Sequence, residues 1–213
     1  MKRNLTTLLL AVTSASVFGE SALDRLCDNH YNKRGLKSGD FAQVKPIIDS
    51  ARKATVKELA ARLNTPGITL DDASWSLYYL GQKSLGDNDF KSFVKYLTAA
   101  ADDYLNPWAM TLLAKVYYYD KESWKKNYPA AEITTDRNLD KSYSYLSLAF
   151  LIAGQIEQDH HDNSILTGVA NGGLALKDTF EGGRVAGFDP RASLAKNKND
   201  LSAKAQAYQK LYK

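Results

Sequence analysis

The sequence predicts an all-α protein built from stacked helical hairpins. Apolar residues recur three and four positions apart over most of the 213 residues, as on the buried face of an amphipathic helix. No convincing alternation of apolar and polar residues marks a β-strand. Several helical segments also match one another at fixed offsets, as expected of stacked hairpins, because each hairpin buries its apolar face only against its neighbours.

The amino end has the layout of a secretory signal peptide. Two basic residues precede a short apolar run, and the small residues Val17 and Gly19 occupy the positions that signal cleavage prefers. We therefore expect residues 1–19 to be removed and the mature chain, beginning at Glu20, to be periplasmic or secreted. An anchor helix is the alternative, but the run is shorter than the roughly 20 apolar residues that span a bilayer.

Charge and cysteine usage restrict the partners. Loss of Lys2 and Arg3 with the signal peptide lowers the formal net charge from +4 to +2, which removes most of the support for nucleic-acid binding. The single Cys27 follows Leu26, whereas a lipoprotein signal has a small residue there. One cysteine cannot form an internal disulfide, so burial on an apolar helix face is expected, with an intermolecular bridge as the alternative.

The predicted helices follow from the apolar stripes and from the residues that begin and end them. Asp40, Asp89 and Asn138 are good N-caps, and Asp71 or Asp72 is expected to cap another helix. Glycine and proline residues mark the ends. In order, the expected helices are 21–31, 40–51, 53–63, 72–86, 89–101, 107–117 and 139–153.

The carboxyl-terminal part carries a weaker helical pattern. Beyond a loop near residue 160, we expect a short helix at 164–170, turns at the glycines and a final helix at 196–212. Residues 184–213 contain seven Lys and Arg against two Asp. The last helix should dock its apolar stripe as a cap and leave its lysines in water, with a membrane-surface helix as the alternative.

The expected domain organisation therefore has three parts. A signal peptide occupies residues 1–19, a helical-repeat domain occupies 20–158, and a loop-rich segment with its capping helix occupies 159–213.

Two offsets indicate an internal repeat. Second helices of the hairpins match at 49 residues, from the caps Asp40, Asp89 and Asn138 to the small residues Ala51, Ala100 and Ala149. First helices match at 33 residues, pairing Trp75 with Trp108, Leu80 with Leu113 and Gly81 with Ala114. We expect Leu80, Leu97, Ala100, Leu113 and Leu146 in the core. An ordinary helical bundle that matches itself by chance is the alternative.

At these residues the chain resembles the SEL-like repeat family, a branch of the tetratricopeptide class. The pattern is carried by Leu80-Gly81, Asp89, Tyr96 and Ala100-Ala101 in one copy, and by Leu113-Ala114, Asn138, Lys141-Ser142, Tyr145 and Ala149 in the next. Ser84 stands where the family usually has tyrosine, and the loop after Tyr119 is longer than the family's. The resemblance covers roughly residues 22–154. It implies a right-handed α-solenoid that makes protein contacts, usually as an adaptor, with no chemistry of its own.

The residues do not predict an enzyme, a cofactor or a metal site. The densest group of metal-ligand types is His160-His161 with Asp159 and Asp162, but adjacent histidines point to different faces of a helix. His30 stands alone beside Tyr31. Gly168, Gly172, Gly173, Gly182 and Gly183 match neither phosphate-binding spacing, and Asp102-Asp103 is interpreted as a helix end.

Aromatic residues predict the contact surface. The polar segment 120–137 interrupts a hairpin, and loops of this length are commonly functional. We expect this segment to emerge at one edge of the stack, beside either the starts or the ends of the first helices of the hairpins. We expect partner contacts from an aromatic set whose members are Trp75, Trp108, Tyr118, Trp124 and Tyr128. The alternative is that the loop folds back over apolar helix surface.

These expectations favour an exported adaptor that binds another protein, for example a toxin or an envelope protein. A narrower hypothesis is an immunity protein that neutralises a toxin delivered to the periplasm. A third, of another class, is an enzyme of unrecognised type. No membrane contact is expected after signal cleavage.

Overall fold

The computed structural model describes residues 44–160 and 163–212. Within these ranges the chain is all-α, as predicted, with nine α-helices, one π-helical turn and no strand. The predicted signal peptide, Cys27, His30, the cap Asp40 and the predicted helix 21–31 lie outside the described residues. The helices are α1 (Val44–Lys53), α2 (Val56–Leu63), α3 (Leu70–Gly86), α4 (Phe90–Thr98), α5 (Pro107–Tyr118), α6 (Lys121–Asn127), α7 (Leu139–His160), α8 (Ser164–Glu181) and α9 (Pro190–Tyr212), with the π turn at Ala99–Asp103.

Side-chain caps begin several of these helices. Asp89 and Asn138 cap α4 and α7 as predicted, because their carboxyl and amide oxygens accept backbone N–H groups three residues on. The prediction for α3 was wrong by two or three residues. Its cap is Thr69, whose hydroxyl accepts from the backbone N–H of Asp72 at 3.0 Å.

The helices pair with their neighbours in the chain. In one antiparallel pair, the backbone N–H of Asn138 at the start of α7 donates to the carbonyl of Tyr117 at the end of α5 at 2.8 Å. In another pair, α4 packs on α3, where Gly81 lies against Leu97. A third antiparallel contact joins the end of α8 to the start of α7.

Two other packed pairs of helices lie parallel. Trp108 near the start of α5 donates to the carbonyl of Ile165 near the start of α8 at 3.1 Å, and Tyr118 at the end of α5 contacts Phe180 near the end of α8. In the same way α9 runs parallel to α7, because Asp140 near the start of α7 pairs with Lys196 near the start of α9. The core lies between these layers.

The predicted core is confirmed. Each of its five members is at most 1% exposed, namely Leu80, Leu97, Ala100, Leu113 and Leu146. At about 25 cal/mol per Å² of apolar area removed from water, such side chains are the main stabilising contribution of the fold.

The carboxyl-terminal prediction needs correction. Helix α7 continues through Gly154 to His160, and α8 is an 18-residue helix that includes Gly172 and Gly173, where the sequence predicts turns. The predicted turns at Gly182, Gly183 and Gly187 are confirmed. The glycines within α8 lie where this helix approaches other helices, since a Cβ at Gly168 would stand 2.4 Å from the indole of Trp108, and one at Gly173 would stand 2.8 Å from Leu146. Close packing therefore offsets a helix cost of about 1 kcal/mol per glycine.

Among the described helices, none combines the length and the apolar content needed to cross a bilayer.

Candidate functional site

The structure divides the five predicted contact residues into two groups. Trp75 and Trp108 lie at the starts of α3 and α5 with ring centroids 4.9 Å apart, edge to face. Trp75 is 4% exposed, and the indole N–H of Trp108 is bonded to Ile165. These two side chains join α3, α5 and α8 to one another. The prediction of a partner contact is wrong for Trp75, which is buried within the protein.

The interrupting segment is partly helical and folds back onto the hairpin. Its helix, α6, begins at Asp120, whose carboxylate accepts the backbone N–H of Ser123 at 2.8 Å. The half-buried Trp124 packs against Phe90 and Phe93 of α4, with ring centroids 5.2 and 6.0 Å away. Trp124 therefore fits the alternative prediction, that this segment folds back over apolar helix surface.

Tyr118, Tyr119, Trp124 and Tyr128 form a continuous group at the end of α5, which we call the aromatic edge. Tyr119 contacts Tyr118 and Trp124, and Trp124 contacts Tyr128, with centroid separations of 5.0, 6.4 and 5.9 Å. Tyr119 is 45% exposed. Ten residues of α5 separate Tyr118 from Trp108, a rise of about 15 Å. The five residues of the predicted set therefore do not form one continuous surface.

A polar cleft of about 360 Å³ lies between α7, α9 and the π turn, and we call it the α7–α9 cleft. Its charged lining residues are Asp102, Asp140, Lys141, Lys196, Asp200 and Lys204. The sequence analysis did not assign a site here.

Asp102 is the point where the π turn, α7 and α9 meet. The hydroxyl of Tyr145 donates to its carboxylate, 3.1 Å from both oxygens, and the ammonium of Lys204 donates to it at 3.0 Å. The same ammonium lies 5.5 Å from the centre of the Tyr145 ring. Burial, followed by the charge of Asp102, raises the pKa of Tyr145, so its hydroxyl remains a proton donor.

Tyr117 extends this arrangement into α5. Its ring stacks on that of Tyr145 at 6.0 Å with 10° between the planes. Lys141 donates to the Tyr117 hydroxyl at 2.7 Å and lies 4.2 Å from the centre of its ring. The two tyrosines thus form an aromatic wall with an ammonium group on each.

The pKa values of the Asp103 and Asp140 carboxyl groups are shifted in opposite directions. Burial, followed by repulsion from Asp102, raises the pKa of Asp103 to about 7, although Lys204 acts in the opposite direction. A hydrogen bond from Lys196 at 2.8 Å holds the pKa of Asp140 below its usual range. The cleft therefore combines carboxylates and tyrosine rings with the ammonium groups that pair with them.

Sequence reasoning missed this cleft because its members lie far apart in the chain. Asp102, Tyr145 and Lys204 belong to three different elements, and no local motif joins them. In the part of the chain that the structure describes, no three His, Cys, Asp or Glu side chains are grouped as metal ligands would be.

Comparison with protein-family models, with curated proteins and with solved structures finds no match for this chain.

Proposed function

We propose that the protein is an exported, periplasmic adaptor that binds another protein through a right-handed solenoid of helical pairs of the SEL-like type. The observation that supports this proposal is the order of the helices. The first helices α5 and α8 are parallel neighbours, and α3 joins them through Trp75 and Trp108. The second helices α7 and α9 are parallel as well, and both meet the π turn after α4 at Asp102.

This order is the one expected when each helical pair buries its apolar face against the next pair. Beyond this, α8 packs on α5 and α7, and α9 packs on α7, where the sequence predicted a short helix and a capping helix. Repeats that stack in this way expose extended surfaces, and such surfaces commonly bind other proteins.

The aromatic edge is the proposed contact surface. Aromatic rings provide a large contact area at low cost in side-chain entropy, and Tyr119 exposes nearly half of its surface while its neighbours hold it in place. Tyr119 is thus the member of this edge best placed to enter a partner.

The test is capture of partners from a periplasmic extract by the tagged protein, with Tyr119→Ala as the variant. Leu174→Ala is the matched control, since Leu174 is 48% exposed on α8. We expect both variants to keep the melting temperature and only Tyr119→Ala to lose a partner, by about fivefold or more in affinity. Capture of no specific protein, or equal loss in both variants, would contradict the proposal.

The identity of the captured protein distinguishes the two binding hypotheses. An envelope protein is expected for an adaptor, whereas a toxin would favour the immunity role. Export is tested separately by mass spectrometry of the mature protein, which should begin near Glu20. Intact Met1 on protein in the cytoplasm would contradict export.

A further inference from the structure

Residues 190–208 of α9 bury little apolar surface for their length. Between residues 190 and 208, only Ser193 and Tyr208 are buried, and Leu194 and Leu201 are half-buried. By contrast, α5 buries eight of its twelve residues. Apolar packing therefore contributes less to the position of α9 than to that of the central helices.

Two lysines join α9 to the rest of the protein instead. Lys196 pairs with Asp140 at 2.8 Å, and Lys204 pairs with Asp102 at 3.0 Å. Eight residues separate the two lysines, a rise of about 12 Å. The side chain of Lys204 is only 24% exposed. The expectation that the lysines of this helix remain in water was therefore wrong for Lys204.

The face beneath α9 is anionic and aromatic. The π turn and α7 contribute the carboxylates of Asp102 and Asp140 together with the ring of Tyr145. Of the cations beside them, Lys141 donates to the Tyr117 hydroxyl and Arg137 donates to the carbonyl of Tyr118 at 3.0 Å. One ammonium group from another segment can therefore pair with Asp102 beside the Tyr145 ring, and a second can pair with Asp140.

The fit of α9 on this face is incomplete. The α7–α9 cleft leaves about 360 Å³ between the helices, and a wider recess of about 610 Å³ continues from Asp140 past Lys196 towards Phe188. A segment that is held partly by ion pairs and is bordered by two recesses is one that a better-fitting segment can replace.

We propose that this face of α7 and the π turn is a binding site for a basic helix of a partner protein, and that α9 occupies the site in cis. Charge complementarity supports α9 as the present occupant, because residues 184–213 carry seven Lys and Arg against two Asp. The groups that recognise the partner helix are those that hold Lys204, namely the carboxylate of Asp102 and the ring of Tyr145. This site is separate from the aromatic edge.

The probe for the test is a labelled synthetic peptide of residues 190–212, and the protein is the full chain. In the double variant Lys196→Ala, Lys204→Ala, α9 loses both ion pairs, so the site should be open for a larger fraction of the time. Apparent affinity rises with that fraction. We expect fluorescence anisotropy to show peptide binding at least about tenfold tighter than to the unchanged chain, weakening as salt is added.

The paired change Arg191→Ala, Lys198→Ala is the matched control, because it removes the same number of charges from exposed positions on α9. It should bind the peptide no better than the unchanged chain does. A peptide in which both contact lysines are alanine should not bind the double variant. Equal binding by the double variant and the unchanged chain, or full binding by the altered peptide, would make α9 a fixed part of the fold.

A second measurement uses the unchanged chain and does not depend on the folding of the variant. Backbone amides of α9 should exchange with solvent faster than those of α5 and α7, and the difference should grow between about 0.05 and 0.5 M salt. Exchange of α9 as slow as that of α7 at every salt concentration would contradict the proposal. Neither result bears on the aromatic edge.

Discussion

Gly168 of α8 lies directly against the indole of Trp108 on α5. A Cβ atom added at Gly168 would stand 2.4 Å from the indole nitrogen, a separation that real Cβ atoms essentially never show. The same nitrogen donates its proton to the carbonyl of Ile165 at 3.1 Å. The indole cannot move away without losing that bond. Helix α8 can therefore occupy its position only because residue 168 has no side chain.

Gly168→Ala should therefore destabilise the protein, by about 1 to 3 kcal/mol, because the added methyl group overpacks the contact. The matched control is Gly154→Ala in α7, where nothing lies within 4 Å of the added Cβ. Alanine there should be neutral or stabilising by about 0.5 to 1 kcal/mol, since it favours helix. Urea unfolding measures both, and equal effects of the two changes would contradict the close approach.

Local chemistry explains why much of the fold was predictable. Asp89 and Asn138 cap their helices through groups three residues away, and the spacing of Leu80, Leu97 and Leu113 depends only on the helical period. The turn prediction was wrong at Gly172 and Gly173, because the reason for these glycines is a tertiary contact. Glycine disfavours helix in isolation, and only the side chains of other helices explain its presence in α8.

Ala100→Leu should cost about 1 to 3 kcal/mol, because Ala100 is fully buried in the π turn and a larger side chain has no space there. Ala175→Leu is the control, since Ala175 is exposed on α8 and leucine should be tolerated. The measurement is thermal unfolding followed by circular dichroism. An unchanged melting temperature for Ala100→Leu would mean that the turn is not packed as described.

Trp124→Ala should lower the free energy of unfolding by about 1 to 3 kcal/mol, because it removes the ring contacts with Phe90 and Phe93. Trp124→Phe should lose less, since a ring remains against α4. Denaturant unfolding gives the values. If Trp124→Ala instead left stability unchanged and weakened only partner capture, Trp124 would belong to the contact surface and not to the fold.

The five residues predicted for the partner site show where aromatic content alone is insufficient. Trp75, which belongs to the predicted set, is 4% exposed, whereas Tyr119, which does not belong to it, is 45% exposed. Trp75 is enclosed because Trp108, from another helix and far away in the chain, packs against it. For the same reason the pairing of Asp102 with Tyr145 and Lys204 left no local signal.

Asp103 predicts a pH dependence of stability with a definite sign. Its pKa of about 7 lies above the value near 4 of an unfolded aspartate, so between these pH values the native state binds more protons than the unfolded state. The free energy of unfolding should therefore fall as the pH rises from about 4 to about 7. Above pH 7 the buried charge destabilises the native state by a constant amount.

Asp103→Asn removes that charge and should raise stability at pH 8, by about 1 to 2 kcal/mol after allowance for partial exposure, with little effect at pH 4. Asp178→Asn, at an exposed position of α8, should not change the pH profile. Unfolding in urea at a series of pH values provides the comparison. Parallel profiles for Asp103→Asn and the unchanged chain would contradict the role given to Asp103.

The π turn has a consequence for how this protein can change over time. A π turn holds about one residue more than an α turn, so deleting one residue from Ala99–Asp103 would restore α spacing and leave the chain beyond the turn close to its present direction. The same deletion in a regular α-helix would rotate everything beyond it by about 100°. The turn can therefore absorb a change of chain length that a regular helix cannot, while a carboxylate stays beside Tyr145 and Lys204.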